Sequence, residues 1–342
     1  MVALLLLTVG AGISVWMWIS GGSGSRAVQA PEIRLDMNPA GNAYDETTNT
    51  MTVGAVDSCL SGLPGNNAQH THVAPLIIRN VEDLAGWQVR LNYDGGKMRP
   101  TTVNFAPFTD NNTAQNISFV NLPIDSNTTV HHDVVSLNLI PTQASGPQTA
   151  LIGAYFSGRT TPVSPDTPAK STPDDNSYSA PTGGVLAAIT LQVLAGNFGR
   201  VLSMDLDDAS PNRPGSKALI FTGTGQQTIN LTESALGDGF HAEGVPWNVP
   251  PNDSDCDGFS NTVENSVGTD PNRHCGTDAW PPDINNDSYV DVIGDISRVA
   301  AEFGHSVPPG PTRYDMAPDP PDLYIDIFDI TRMAGLYPLS CS

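Results

Sequence analysis

Basic residues are scarce in this chain. Fifteen Lys and Arg stand against 36 Asp and Glu, a formal net charge of −21 over 342 residues. A surface this acidic repels nucleic acid and anionic membranes, so neither is expected as a partner. Cysteine is sparse too, with four residues and no Cys-x-x-Cys pair that would indicate zinc or redox use. The chain has no Gly-x-Ser-x-Gly elbow, no His-Glu-x-x-His and no glycine-rich phosphate loop. Carboxylate pairs exist at Glu82-Asp83 and at Asp205 with Asp207-Asp208. A glycosidase draws its two carboxylates from separate elements, and these pairs each lie within one. The chain is therefore read as no enzyme.

The first long apolar run is residues 2–19, which carry no charge. It is long enough to span a bilayer, and Val28 and Ala30 suit a signal-peptidase site. Residues 1–30 are read as an export signal, cleaved or retained as an N-terminal membrane anchor, in preference to a buried core helix. The remaining chain is then extracellular or at the cell surface.

Residues 31–245 hold short β-type segments separated by Gly, Pro, Asn and Asp. Trp87, Val89, Leu91 and Tyr93 alternate with Gln88, Arg90 and Asn92, the period of a half-buried strand. Further strands are expected at 50–56, 74–79, 117–122, 134–140, 150–156, 185–194, 201–206, 217–221 and 228–231. Many short strands with turn signals predict a sandwich or barrel, and so a mainly β fold. Ser157–Thr182 reads as a long exposed loop. Residues 246–252 form a proline-rich linker. Beyond it, residues 248–342 carry 16 Asp and Glu against four Lys and Arg, a density that repels itself without counter-ions.

Those acids are spaced as calcium ligands. Calcium takes six to eight oxygens, supplied in a 12-residue EF-hand-like loop by positions 1, 3, 5, 7, 9 and 12 around a turn glycine at position 6. In 253–264 these positions are Asp253, Asp255, Asp257, the Phe259 carbonyl, Asn261 and Glu264, with Gly258 at the turn. A second loop offers Asp283, Asn285, Asp287, the Tyr289 carbonyl and Asp291, and closes on Asp295 because Gly294 inserts one residue. A third offers Asp319, Asp322, the Tyr324 carbonyl, Asp326 and Asp329, with Asp315 as another source for the missing oxygens. Two or three calcium ions are expected. After the second and third loops, Ile296, Val299, Ala300, Phe303 and Ile330, Met333, Ala334, Tyr337 form helical stripes expected to pack on each other.

Cys256 and Cys275 bracket part of the first loop and are read as a disulfide, which leaves Cys59 for Cys341; unpaired thiols are the alternative. His131, His132 and Asp133 are adjacent, and neighbours on a strand point to opposite faces. His70 and His72 lie two apart and are placed to share one face, but no third ligand is evident. Trp247, Trp280 and Tyr178 are candidate sugar-stacking residues. The Asn-x-Ser/Thr sequons at Asn111, Asn116, Asn127, Asn230, Asn252 and Asn286 are about what an Asn-rich chain provides by chance.

Several segments resemble known families. The first loop with Gly268–Pro271 resembles thrombospondin type 3 repeats. Residues 283–303 and 315–337 are similar to the duplicated loop–helix units of dockerin modules, which plug into cohesins. Many dockerins place Ser or Thr before the closing Asp, where this chain has Val292-Ile293 and Ile327-Phe328. That difference implies a more apolar contact. Asp83–Asp94 and Gly183–Leu194 resemble two cohesin strands, which implies a jelly-roll sandwich over 31–245 ahead of a small α module over 253–342. Together the resemblances imply a non-catalytic calcium-binding adaptor whose partner is a cohesin- or dockerin-like module, including another copy of itself. A carbohydrate-binding protein, with polysaccharide on the sandwich and the tail as spacer, is the alternative.

Overall fold

The computed structural model describes residues 30–341 apart from 49, 62–67, 82–83, 111–114, 118–133, 143, 157–179, 181, 209–212 and 223–224. The apolar N-terminal run, His131–Asp133, Tyr178, the Glu82-Asp83 pair and most of the expected 157–182 loop lie outside the described residues. Among the described residues, no helix is long and apolar enough to cross a membrane.

The strands are β1 (Glu32–Leu35), β2 (Ala43–Asp45), β3 (Thr50–Thr52), β4 (Cys59–Leu60), β5 (His70–Arg79), β6 (Leu84–Asp94), β7 (Met98–Asn104), β8 (Phe108–Asp110), β9 (Gln115–Ile117), β10 (Val134–Leu139), β11 (Pro147–Phe156), β12 (Gly184–Val193), β13 (Arg200–Asp207), β14 (Lys217–Thr222), β15 (Gly225–Asn230), β16 (Leu236–Gly237) and β17 (Gly239–Glu243). Among the described residues three short α-helices follow: α1 (Asn261–Val267), α2 (Ser297–Ala301) and α3 (Ile327–Ala334). The fold is mainly β.

One sheet runs β16-β1-β5-β12-β7. The other runs β10-β11-β6-β13-β17-β4, with the β14–β15 hairpin attached to β6. Their inner faces share one apolar core. Ile33, Leu76, Ile78, Ile189 and Leu191 come from the first sheet, and Trp87, Val89, Leu91, Ile152, Met204 and Leu206 from the second. The predicted alternation of β6 holds, because its odd-numbered residues from Trp87 to Tyr93 are buried while Gln88, Arg90 and Asn92 face outward.

Among the strands that pattern reading does not anticipate, three have identifiable reasons. β1 is only four residues long. β7 carries Pro100, which a sheet tolerates at an edge or bulge; β7 is an edge strand, and its register against β12 shifts between Thr190 and Leu191. β17 reads Gly-Phe-His-Ala-Glu and is buried at every position, so two ionisable side chains sit inside.

Asp205 and Asp207 do share a face, but each is already engaged. Asn92 Nδ2 donates to Asp205 Oδ2 at 3.1 Å, and Arg90 Nε pairs with Asp207 Oδ2 at 2.9 Å.

The tail has a smaller core of its own, built from Phe259, Val263, Trp280, Val299, Met316, Ile325 and Met333. The proline-rich segment is not a free spacer. Val245, Trp247 and Val249 pack with Val201, Phe240 and Ala242 of the sandwich and with Cys59 and Cys256. The Ser58 hydroxyl adds a bond to the Ser254 carbonyl at 2.8 Å.

The cysteine pairing differs from the expectation. Cys59 bonds Cys256 and Cys275 bonds Cys341, with Cα atoms 5.4 and 5.3 Å apart. The expected Cys256–Cys275 bridge is absent because the first loop lies against β4, which brings a cysteine 197 positions distant closer than one 19 positions away. The link between sandwich and tail is therefore Cys59–Cys256. Cys275 clamps the end of the chain.

Candidate metal centre

The first acidic loop folds by spending three of the eight carboxylate oxygens of Asp253, Asp255, Asp257 and Glu264 on its own backbone. Gly258 N–H donates to Asp253 Oδ2 at 2.8 Å, Phe259 N–H to Asp257 Oδ1 at 2.8 Å, and Asp257 N–H to Asp255 Oδ1 at 3.3 Å. Gly258 has φ +93, and a Cβ there would stand 2.5 Å from Trp247 Cδ1, so both turn and packing demand glycine. Ser260 caps α1 by accepting from Val263 N–H, and α1 carries Glu264 back over the loop.

The other five are left bare. Asp253 Oδ1, Asp255 Oδ2, Asp257 Oδ2 and both oxygens of Glu264 are buried without a hydrogen-bond partner. Ligand atoms of Asp253, Asp255 and Asp257 lie within 4.8 Å of one another. Burial raises every one of these carboxyls, joined by repulsion from neighbouring acids at Asp255, Asp257 and Glu264: Asp253 to about 6, Glu264 to about 10, and Asp255 and Asp257 well above the ordinary value. Five buried acceptors of one sign need a cation or protons to neutralise them.

The neighbouring donors do not fill that role, because they hold backbone carbonyls instead. Trp247 Nε1 donates to Cys256 O at 3.1 Å and Trp280 Nε1 to Asp257 O at 3.3 Å. Arg332 donates to Gly258 O while its guanidinium stacks 4.7 Å from the centre of the Phe259 ring. Arg313 donates to the carbonyls of Trp280 and Asp283 at 2.8 and 3.0 Å. These groups fix the loop from outside and leave its centre to the carboxylates.

One residue assigned to this loop from spacing, Asn261, does other work, while Phe259 is assigned only through its carbonyl. Asn261 Oδ1 accepts from Ser254 N–H at 3.0 Å, and its amide donates to the Ser254 hydroxyl, so the side chain braces the loop rather than facing the acids. The helix starts one residue earlier than the template, at the Ser260 cap, and this turns Asn261 away. Phe259 puts its ring into the tail core. The sugar-stacking assignment also fails, since Trp280 is fully buried and Trp247 is packed 6.2 Å from it.

The second loop closes on itself. Asp283 accepts from Asp287 and Ser288 N–H at 3.0 and 2.8 Å, and Asp287 accepts from Tyr289 N–H at 3.0 Å and from the Asn285 amide at 2.8 Å. Asp291 caps a π-turn over Val292–Ile296, which absorbs the inserted Gly294. Asp295 is thereby buried and accepts from Ile284, Asn285 and Asp291 N–H.

The third loop repeats this plan and corrects one assignment. Asp329 accepts from Met316, Ala317 and Asp326 N–H at 2.8 to 2.9 Å, as Asp295 does from its counterparts. Leu323 N–H donates to Asp315 Oδ2 at 2.8 Å, as Ser288 does to Asp283. Ser288 and Leu323 both take left-handed φ, 73 and 67. The first position is therefore Asp315, not Asp319. A longer loop leaves Asp319 exposed, whereas Asp315 is buried with Oδ1 unpartnered and its carboxyl raised by burial to about 6. Asp322 and Asp326 keep their assigned places: Asp322 accepts from Tyr324 N–H, and Asp326 caps α3.

The helical stripes meet only in part. Val299 and Met333 are buried in the tail core, with Ile296 and Ile330 half-buried. α2 ends at Ala301, so Phe303 lies beyond it and is exposed, as are Ala300, Ala334 and Tyr337. Val292, Ile293, Ile327 and Phe328 are exposed at the starts of the two helical units, from 53% at Val292 to 84% at Ile293.

No family model matches the chain, and no curated protein matches it. Among solved structures, a type II cohesin domain from the cellulosome of Acetivibrio cellulolyticus is similar at 14% identity and TM-score 0.32, covering 63% of this chain and 96% of its own. A non-cellulosomal cohesin from Archaeoglobus fulgidus is similar at 9% identity and TM-score 0.30, covering 62% and 90%. A chain of a type I cohesin–dockerin complex from Clostridium thermocellum is similar at 11% identity and TM-score 0.32, covering 64% and 97%.

Proposed function

We propose that this chain is a non-catalytic, exported calcium-binding adaptor whose tail is ordered by the ion and presents an apolar docking face to another protein module. The observation that carries the reading is the set of five buried, unpartnered carboxylate oxygens on Asp253, Asp255, Asp257 and Glu264. An all-oxygen, multiply anionic set suits a hard divalent cation of calcium size. The second and third loops, with Asp283, Asp295, Asp315 and Asp329 buried, are further dockerin-like positions for one or two ions. Two disulfides agree with an oxidising, extracytoplasmic setting.

Two apolar surfaces support docking. Val292, Ile293, Ile327 and Phe328 form one on the tail. Val135, Leu137 and Leu139 on edge strand β10, with Tyr155 on β11 opposite Val135, form the other on the outer face of the sandwich. That face is aliphatic rather than a row of rings, which favours a protein partner over polysaccharide.

Calorimetric titration of the full chain with calcium tests the reading. Heat is expected for at least one site, with its affinity reduced about 100-fold or more in Glu264→Gln, a loss of about 2.7 kcal/mol. Sedimentation of the same samples with and without calcium reports self-docking, and Phe328→Asp should abolish any calcium-dependent association. Absence of calcium heat, or an unchanged affinity in Glu264→Gln, defeats the proposal.

A further inference from the structure

A second cluster lies at the edge of the sandwich, away from the acidic loops. His70 and His72 sit on β5 in one sheet, and His241 and Glu243 on β17 in the other. Ligand atoms of His70, His241 and Glu243 lie within 4.8 Å of one another. His241 and Glu243 are buried, at 0% and 2% exposure. His72 adjoins them, its ring centre 5.6 Å from that of His241.

The hydrogen bonds determine which nitrogens are available. His241 Nδ1 lies 3.2 Å from the Leu60 carbonyl, and His70 Nδ1 lies 3.1 Å from the Ala68 carbonyl. A carbonyl only accepts, so each Nδ1 carries its proton and each neutral ring keeps its lone pair on Nε2. Both lone pairs face one carboxylate oxygen: His241 Nε2 stands 2.6 Å and His70 Nε2 3.5 Å from Glu243 Oε2. Lone pairs do not bond one another, so something positive must stand between them. A proton on His241 meets one contact only. His70 Nε2 still lacks a partner, and both nitrogens of His72 are buried and unpartnered.

We propose that His70, His241 and Glu243 form a site for a divalent transition metal of the zinc class, with His72 as the fourth donor. Ligand atoms about 2.0–2.1 Å from a tetrahedral ion stand roughly 3.3 Å apart, close to the His70–Glu243 spacing and reached at His241 by a small outward shift. An Nδ1–H held by a backbone carbonyl is the usual outer support of a metal-bound imidazole, fixing the ring with Nε2 forward. Imidazole nitrogens select zinc, copper or nickel over calcium, whereas the tail loops offer oxygen alone. The chain thus separates a hard and a borderline ion by ligand type. The site also joins β5 to β17 across the sandwich, one strand from the Cys59–Cys256 link.

The test uses the untagged full chain in excess calcium, which occupies the oxygen sites. After zinc loading and desalting, elemental analysis should give one zinc per chain, and cobalt(II) substituted in its place should show the intense visible absorption of a tetrahedral ion. His70→Ala, at a partly exposed ring, and the near-isosteric Glu243→Gln should both lose that equivalent while retaining calcium heat as proof of folding. Asp257→Asn should keep the zinc. A wild-type chain that holds no zinc under these conditions, or zinc that remains in both His70→Ala and Glu243→Gln, overturns the proposal.

Discussion

The sandwich and the tail bury different things. The sandwich encloses a continuous apolar core between two sheets, and its buried carboxylates among the described residues are Asp36 and Glu243. The tail is less than half as long, yet Asp253, Asp255, Asp257, Glu264, Asp283, Asp295, Asp315 and Asp329 are all buried in it. Apolar burial at about 25 cal/mol per Å² holds a fold whatever the ionic conditions. Buried carboxylates oppose folding until a cation or a proton neutralises them. One region of the molecule is therefore stabilised by its solvent-excluded core, while the other, on the function proposed above, is conditional on an ion.

The largest effect that could break this comparison is calcium removal. Ion binding at 100 times its dissociation constant contributes about 2.7 kcal/mol per site. Hydrogen exchange in chelator should expose the amides of residues 253–341 and leave β5, β6 and β12 protected. Equal protection of the tail with and without calcium would remove the distinction between the two regions.

A smaller effect concerns the covalent seam. Peptide mapping without reduction should recover Cys59 with Cys256 and Cys275 with Cys341. The double variant Cys59→Ala/Cys256→Ala should lose about 2–4 kcal/mol. Its thermal unfolding should split into separate tail and sandwich transitions, and a single unchanged transition would show that non-covalent packing at Trp247 and Phe240 suffices.

The smallest effect sharpens the sandwich side. Burial, then repulsion from Asp205, Glu233 and Asp207, pushes the Asp238 carboxyl up to about 7, against the pull of Leu206 N–H. The folded state keeps this proton to higher pH than the unfolded chain, which releases it near 3.8. Stability from this group is full below the lower value and falls as pH rises toward 7. Asp238→Asn keeps the acceptor for Leu206 N–H and removes the ionisation. Urea unfolding in calcium should show the variant gaining on the order of 1 kcal/mol over wild type between about pH 5 and pH 7. A gain on acidification instead would reverse the assignment.

The turn of the first loop was legible because its contacts are local. Asp253, Asp255, Asp257 and Glu264 are set by spacing and by a turn that only glycine fits at 258. The alternation of β6 was legible for the same reason, a period that one sheet face enforces. Asn261 was misassigned because a one-residue change in where α1 starts redirects a side chain, and Asp315 was displaced by a longer loop. β17 was missed because its buried polar residues break the apolar pattern, and those residues complete the histidine cluster.

Spacing along the chain thus determined that acidic side chains would gather in short turns and that alternating segments would form sheets, since both depend on neighbours within a dozen residues. Tertiary structure alone decided that Cys59 meets Cys256 and that His70 meets His241 and Glu243. Those partners lie on strands from opposite sheets or in separate regions, and only closure of the core brings them within bonding distance.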